Sequence, residues 1–485
     1  MARNGGLQLE LLTRKVQEFI SRYGLAAHLA LLAVAPLFLF HSCGAATIGV
    51  VLLWLSLAGA MWLFLEPSRR EGELLHDARR RTARAISSDP VLWLFALLAG
   101  FAAIRWLNSA PGLVYDAENS VWSMAKPPVG WLPSSCGDAG FLPFCSVVAV
   151  GVAAVGCRNA MGRSARMGFL AFTSVFAAIA AVAAVCLLRP GGSAAAASLA
   201  QAGVGAAEPC GDAFGLYMLA GATAIAGAFD CKWNGLMLFL ALAAGANGAA
   251  LFCYAPPAHA AVFAAAVLFV HVVASVHVWL GHSMSTFFKF QAAIVMAAVC
   301  GVTFCVWLAP QELVKAKAAA FASLAFFPEG FAALRGRLSE IARDAWKGGM
   351  WLGTGEGSFP LDVRLAATPE DWAAWGATPP KSAANGWFQL VAERGIAGAA
   401  AIALPVFFML ATFVRRAFSS GGWKRPFLPF AALALAAVFS LAAIGFADNP
   451  LASSAVLAPL ACSFALAPFI FAKRGRTEEE EDFES

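Results

Sequence analysis

Long apolar runs separated by short polar punctuation set the pattern of this chain, and one polar island interrupts it. The runs fall at about residues 25–41, 44–65, 90–107, 141–157, 167–188, 212–229, 234–254, 258–280, 287–309, 396–414, 427–447 and 453–472. Most are close to the roughly 20 residues a helix needs to cross a hydrocarbon core of about 30 Å. Strand-like alternation with regular turns is missing, and Gly, Ala and Ser are spread through the runs, as where helices pack closely in lipid. The pattern predicts an all-α, polytopic membrane protein with about 12 transmembrane helices. Residues 310–395, between the ninth and tenth spans, form the island.

Composition agrees: 485 residues are 60% hydrophobic and 13% charged, with a mean hydropathy of +0.71, which excludes an ordinary soluble domain. Charge then orients the chain. With a cytoplasmic N-terminus, the inner segments collect 22 of the 34 Lys and Arg residues, including the block from Arg69 to Arg84. That asymmetry places both termini in the cytoplasm and the island outside it. Residues 1–24 contain a short amphipathic stretch suited to a membrane surface and no cleavable signal peptide, and residues 473–485 form an acidic tail. The net charge of +5 is accounted for by topology and gives no case for nucleic acid. The 11 cysteines fall mostly within apolar runs and lack metal-ligand spacing, so neither a metal nor a cofactor is expected. Cys136 and Cys210 lie in segments assigned to the outer side, where they could pair.

Two further outer segments, 108–140 and 189–211, are rich in Pro, Gly and Ser and are expected as loops over the bundle mouth, with Trp122 and Trp131 at the interface. Arg105, near the outer end of the third span, is costly in lipid; it either faces the bundle interior or snorkels outward, and its position favours snorkelling. Within the island, FAALRGRLSEIARDAW (Phe331 to Trp346) has apolar residues at helical spacing and predicts an amphipathic helix on the outer membrane surface. The following GTGEGSF sets Gly353, Gly355 and Gly357 at alternate positions, a turn with exposed N–H groups able to hold an anion or simply a turn back toward the membrane.

The run from Arg337 through Trp346 to GTGEGSF, followed by ANGWFQLVAERGIAG and an apolar helix, resembles the O-antigen ligase and polymerase superfamily. In that family an external loop carries an arginine, a tryptophan and a glycine turn, then a motif of the form H-N-x-x-L-x-x-x-x-E-x-G-x-x-G. The second motif is met here at Asn385, Leu390 (shifted by one), Glu393, Gly395 and Gly398. The resemblance implies metal-independent transfer of a glycan from a polyprenyl-diphosphate carrier to a hydroxyl of an acceptor glycolipid, glycan or protein, at the outer face of the bacterial cytoplasmic membrane. Such chemistry needs cations for the departing diphosphate and a base near the acceptor. Arg337 aligns best with the family's arginine and Arg335 is the alternative; Arg343, Gly353, Gly355, Gly357, Asn385, Glu393 and Arg394 complete the expected binding set.

The chain also departs from the family. Ala384 stands where the family has histidine, and the segment Ala255 to Phe263, where an earlier arginine is expected, offers only His259. The candidate bases are therefore Glu356, His259, Asp362 and Glu393, with Glu393 also expected to support the loop by pairing with Arg394 or a backbone group. Three readings follow: a glycosyltransferase, a non-catalytic subunit of the same fold that binds lipid-linked glycan, and a transporter. The last is least favoured, since no internal repeat is evident and the spans are nearly free of acid.

Overall fold

The structure is a computed structural model and describes residues 45–65, 74–159, 178, 234–254, 257–281, 283–323, 331–375, 379–419 and 428–446. The first, sixth and twelfth predicted spans, the fifth except for residue 178, both terminal segments, and the 189–211 loop with Cys210 lie outside the described residues.

Helices occupy the other predicted spans. They are α1 (Ala45–Leu65), α3 (Pro90–Leu107), α4 (Phe141–Asn159), α5 (Asn234–Tyr254), α6 (Pro257–Gly281), α7 (Met284–Leu308), the later part of α12 (Gly386–Ala417) and α13 (Leu428–Ile444), with the polar α2 (Leu75–Ser87) between α1 and α3. Four stretches, in α3, α5, α6 and α7, are long and apolar enough to cross a membrane. Large apolar side chains such as Trp54, Leu97, Met296 and Trp307 stand exposed on these helices, the surface an all-α membrane protein offers to lipid.

The helices pack in pairs: α1 and α3 on α4, α5 on α7, and α6 on α13. The α5–α7 contact depends on small residues. A Cβ added at Gly245 would fall 2.6 Å from the Ala298 carbonyl, and one at Gly301 would fall 2.7 Å from that of Leu242, so side chains here would force the backbones apart.

The 108–140 segment, expected as loop, holds short strands. β1 (Ser109–Ala110) runs parallel to β4 (Ser135–Cys136), and β2 (Leu113–Asp116) pairs antiparallel with β3 (Val121–Met124). The Asp116 carboxylate accepts from the Glu118 and Asn119 N–H groups and closes the hairpin. A 3₁₀ turn, Gly137–Gly140, leads into α4.

The island is organised as α8 (Gln311–Ala322), α9 (Phe331–Gly348), α10 (Phe359–Ala366) and α11 (Pro369–Trp375). The amphipathic helix forms where its spacing predicts, but its apolar face does not rest on the membrane. Leu338, Ile341 and Ala342 of α9 are buried together with Phe359, Val363, Ala383 and Ala392, a small core shared with α10 and α12. Burial of this face beneath protein gives the island a core of its own.

Candidate functional site

The site grows from the break in α12. Asn385 caps the helix: its Oδ1 accepts from the N–H groups of Trp387 (3.1 Å) and Phe388 (3.3 Å). Gly386 donates to the Gly445 carbonyl (2.7 Å) and Trp387 Nε1 to that of Ala442 (2.9 Å), fixing this end on α13. Asn385 is buried, so its observed part is to start a helix. Nearly three turns on, Gly395 takes φ 64° and ψ −173°, a conformation closed to other residues, and interrupts the helix.

The glycine turn docks on that break. Thr354 and Gly355 donate to the Ala392 and Glu393 carbonyls at 2.9 and 3.1 Å, while Ile396 and Ala397 donate back to Met350 and Trp351, both at 3.1 Å. On its other side, Glu356 N donates to the Ser134 carbonyl (3.0 Å) and Cys136 N to that of Glu356 (2.8 Å), so the turn extends the edge of β4. Gly353, Gly355 and Gly357 have φ of 77°, 121° and 75°. The N–H groups of residues 353–357 each donate within the protein, which replaces the expected anion nest with a clamp between chain segments.

At the centre of this clamp lies Glu356, with 9% of its surface exposed. One carboxylate oxygen pairs with Arg394 Nη2, and the other lies 3.5 Å from Arg105 Nε. Arg105 has 2% exposure; its Nη2 donates to the Glu393 carbonyl (2.9 Å), and its guanidinium lies 5.7 Å from the Phe101 ring centroid. The expected snorkelling is thus overturned: Arg105 points inward because an acid and a carbonyl are there to receive it.

Two more carboxyls stand behind the turn. Glu393 accepts from Phe359 N (3.3 Å) and Gln389 Nε2 (3.0 Å), and burial, aided by the charge of Glu356, pushes it up to about 7. Of its two expected partners it takes the backbone group, while Arg394 goes to Glu356. Asp362 accepts from Ser358 Oγ (3.1 Å) and Thr354 Oγ1 (3.4 Å), and burial pushes it up to about 6.

The other predicted residues lie apart from this cluster. Arg337 donates through Nε to Asp371 Oδ2 (3.0 Å) and through Nη2 to the Ala366 carbonyl (3.1 Å), with Glu340 also within 3.5 Å. Asp371 holds the guanidinium more firmly charged, and in turn the Asp371 carboxyl is held below its ordinary range. Arg337 therefore braces α9 against α11. Arg335 is half-buried and Arg343 exposed on the same helix, and neither makes a hydrogen bond or ion pair among the described residues. His259, in the first turn of α6, has 2% exposure, and its Nδ1 has no partner among the described residues. No hydrogen bond links it to Glu356.

A cavity of about 720 Å³ opens beside the β4–turn pairing, with Trp122, Cys136, Gly357, Leu361 and Arg364 among its walls. Cys136 and Gly357 belong to the segments that enclose Glu356, so cavity and charged cluster share a wall. The sequence flags Arg105 and Arg364 as charges but carries no signal for their places here, which depend on contacts between distant segments.

Fold and site define a mostly helical membrane protein whose polar island folds onto the end of a spanning helix around a doubly paired carboxylate. No known family model and no curated protein matches the chain.

Proposed function

We propose that this protein is an O-antigen ligase-like membrane glycosyltransferase that moves a glycan from a polyprenyl-diphosphate carrier to an acceptor hydroxyl on lipid A core, glycan or protein, at the outer face of the cytoplasmic membrane. The observation that carries the reading is the joining of the two segments on which the resemblance rests: the glycine turn and residues 385–398 are hydrogen-bonded into one unit, beside a cavity and at the end of α3. Chemistry on a lipid-linked donor requires such a polar platform at the membrane boundary.

Glu356 is poorly suited as the base, because both of its oxygens face guanidinium groups. Asp362 fits that role better: it has no arginine partner among the described residues, and at about 6 it is deprotonated at neutral pH while remaining basic enough to take a proton. The acceptor hydroxyl attacks the anomeric carbon, the carbon–oxygen bond to diphosphate breaks, and the hydroxyl proton passes to Asp362. Positive charge for the departing diphosphate comes from the island's arginines.

A non-catalytic subunit that binds lipid-linked glycan is the second reading, favoured by Ala384 at the family's histidine position and by the clamped state of Glu356. The test is release of polyprenyl diphosphate by the purified protein in nanodiscs supplied with lipid-linked glycan and lipid A core or cell-envelope protein. Catalysis requires release that Asp362→Asn lowers by about 100-fold or more, the usual contribution of a general base. Donor binding without release leaves the second reading, and absence of both refutes the pair.

A further inference from the structure

The composition of the cavity is selective. Arg364 is the one charged residue among the residues that line it, and it makes no hydrogen bond or ion pair among the described residues. With no lining carboxylate to oppose it, this guanidinium is a vacant anion contact. Beside it are the apolar side chains of Leu361 and Leu365, which share the cavity face of α10 with Arg364.

Trp122 also lines the cavity. It occupies the middle of β3 and is 57% exposed, and it is braced from the neighbouring strand by its register partner Tyr115, with ring centroids 5.2 Å apart. An indole held this way over a cavity offers a flat apolar surface at little further entropic cost. The glycine walls, Gly112, Gly137 and Gly357, let a bulky polar ligand approach the backbone closely. A volume of about 720 Å³ lies in the ordinary range for small-ligand sites.

We infer that this cavity binds a glycosyl phosphate, with the apolar face of the pyranose ring against Trp122 and the phosphate on Arg364. The assignment rests on the glycosyltransferase reading only for the source of the ligand, the carrier-linked donor or a phosphorylated acceptor glycolipid; the binding itself follows from the cavity. Neither side chain is buried in the fold: Trp122 is exposed, and Arg364 is exposed and has no partner among the described residues.

Cys136 supplies a native reporter. Cys136 lines the cavity and is partly exposed, and burial pushes its thiol up to about 11, so alkylation is slow at neutral pH and quickens as the medium is made alkaline. The full chain in nanodiscs is treated with N-ethylmaleimide at alkaline pH, modification at Cys136 is read by peptide mass spectrometry, and binding of radiolabelled probe is measured in parallel. Two probes are used, N-acetylglucosaminyl diphosphofarnesol for the donor and lipid A for the phosphorylated acceptor. At least one should bind saturably and slow alkylation of Cys136, and the tighter one identifies the source.

Arg364→Gln and Trp122→Leu should each raise the dissociation constant of that probe about tenfold, as expected for losing one charge-assisted contact or one stacked face. Binding unchanged in both variants, or no saturable binding of either probe, overturns the assignment. Transfer activity with no effect of either substitution on binding sinks the cavity and leaves the proposed reaction standing. Binding that depends on both residues, without transfer, supports the cavity and sinks the catalytic reading.

Discussion

Arg105→Met is the most informative single substitution, because it removes a charge that nothing else in α3 replaces. Arg105 is 2% exposed and Glu356 9%, so the pair is in a low-dielectric setting in which an uncompensated charge is expensive. Breaking a buried pair from one side costs about 3–5 kcal/mol. Arg394 still pairs with Glu356 in the variant, which puts the expected loss at the lower end, about 3 kcal/mol. Arg337→Met is the control: its partner pair is 33% and 13% exposed by side chain, and such pairs contribute about 0–1 kcal/mol. The double variant Arg105→Met with Glu356→Gln removes both charges, and its loss should fall short of the sum of the singles by about 2 kcal/mol. Unfolding in mixed micelles of dodecyl maltoside and sodium dodecyl sulfate, followed by intrinsic tryptophan fluorescence, measures the parent protein, the single variants Arg105→Met, Glu356→Gln and Arg337→Met, and the double variant. Equal losses for Arg105→Met and Arg337→Met, or strict additivity in the cycle, would refute the pairing as the anchor of the island.

The same unfolding assay tests two further expectations. Gly395→Ala, at φ 64° with a Cβ directed at the Trp351 carbonyl, should cost 3 kcal/mol or more in order of magnitude, whereas Gly336→Ala on the open face of α9 should stabilise by about 0.5–1 kcal/mol; a tolerated Gly395→Ala would mean that the break is dispensable. Glu393 is pushed up to about 7 from an ordinary value of 4.5, so the folded state binds its proton more tightly than the unfolded state, and stability should decline as pH rises from about 4.5 through 7 and level off above it. Asp362 acts in the same direction between 3.8 and about 6; Glu393→Gln should flatten the upper part of that decline, and an unchanged slope from pH 6 to 7.5 would remove Glu393 as its source.

The membrane helices were the most legible part of the fold. Apolar length is a local property, and for α3 and α5 the predicted boundaries coincide with the helix ends to the residue. The strands in the 108–140 segment were not legible, since pairs such as Ser109–Ala110 with Ser135–Cys136 are too short to show a period of two. The periodicity of α9 gives its helix but not the partner of its apolar face. An amphipathic pattern states that one face is covered; it does not distinguish lipid from the buried Phe359 and Val363 that cover it here.

The charged centre shows a related limit. An arginine near the end of a spanning helix has two low-cost solutions, reaching water or meeting an acid, and sequence position alone favours water for Arg105. The acid that decides the matter is Glu356, carried by a turn far along the chain, and that turn reaches α3 only because its glycines accept positive φ and let it lie on the break at Gly395. Once the turn is placed, its prominent features are spent: the N–H groups on carbonyls, the carboxylate on two arginines, Asn385 on a helix cap. Residues that stand out in a motif are here the ones that hold the platform together. Under the proposed function, reactivity falls to groups with unspent capacity, a carboxyl such as Asp362 that burial pushes up to about 6 and a guanidinium such as that of Arg364, without a partner among the described residues, neither of which the spacing of the motif distinguishes.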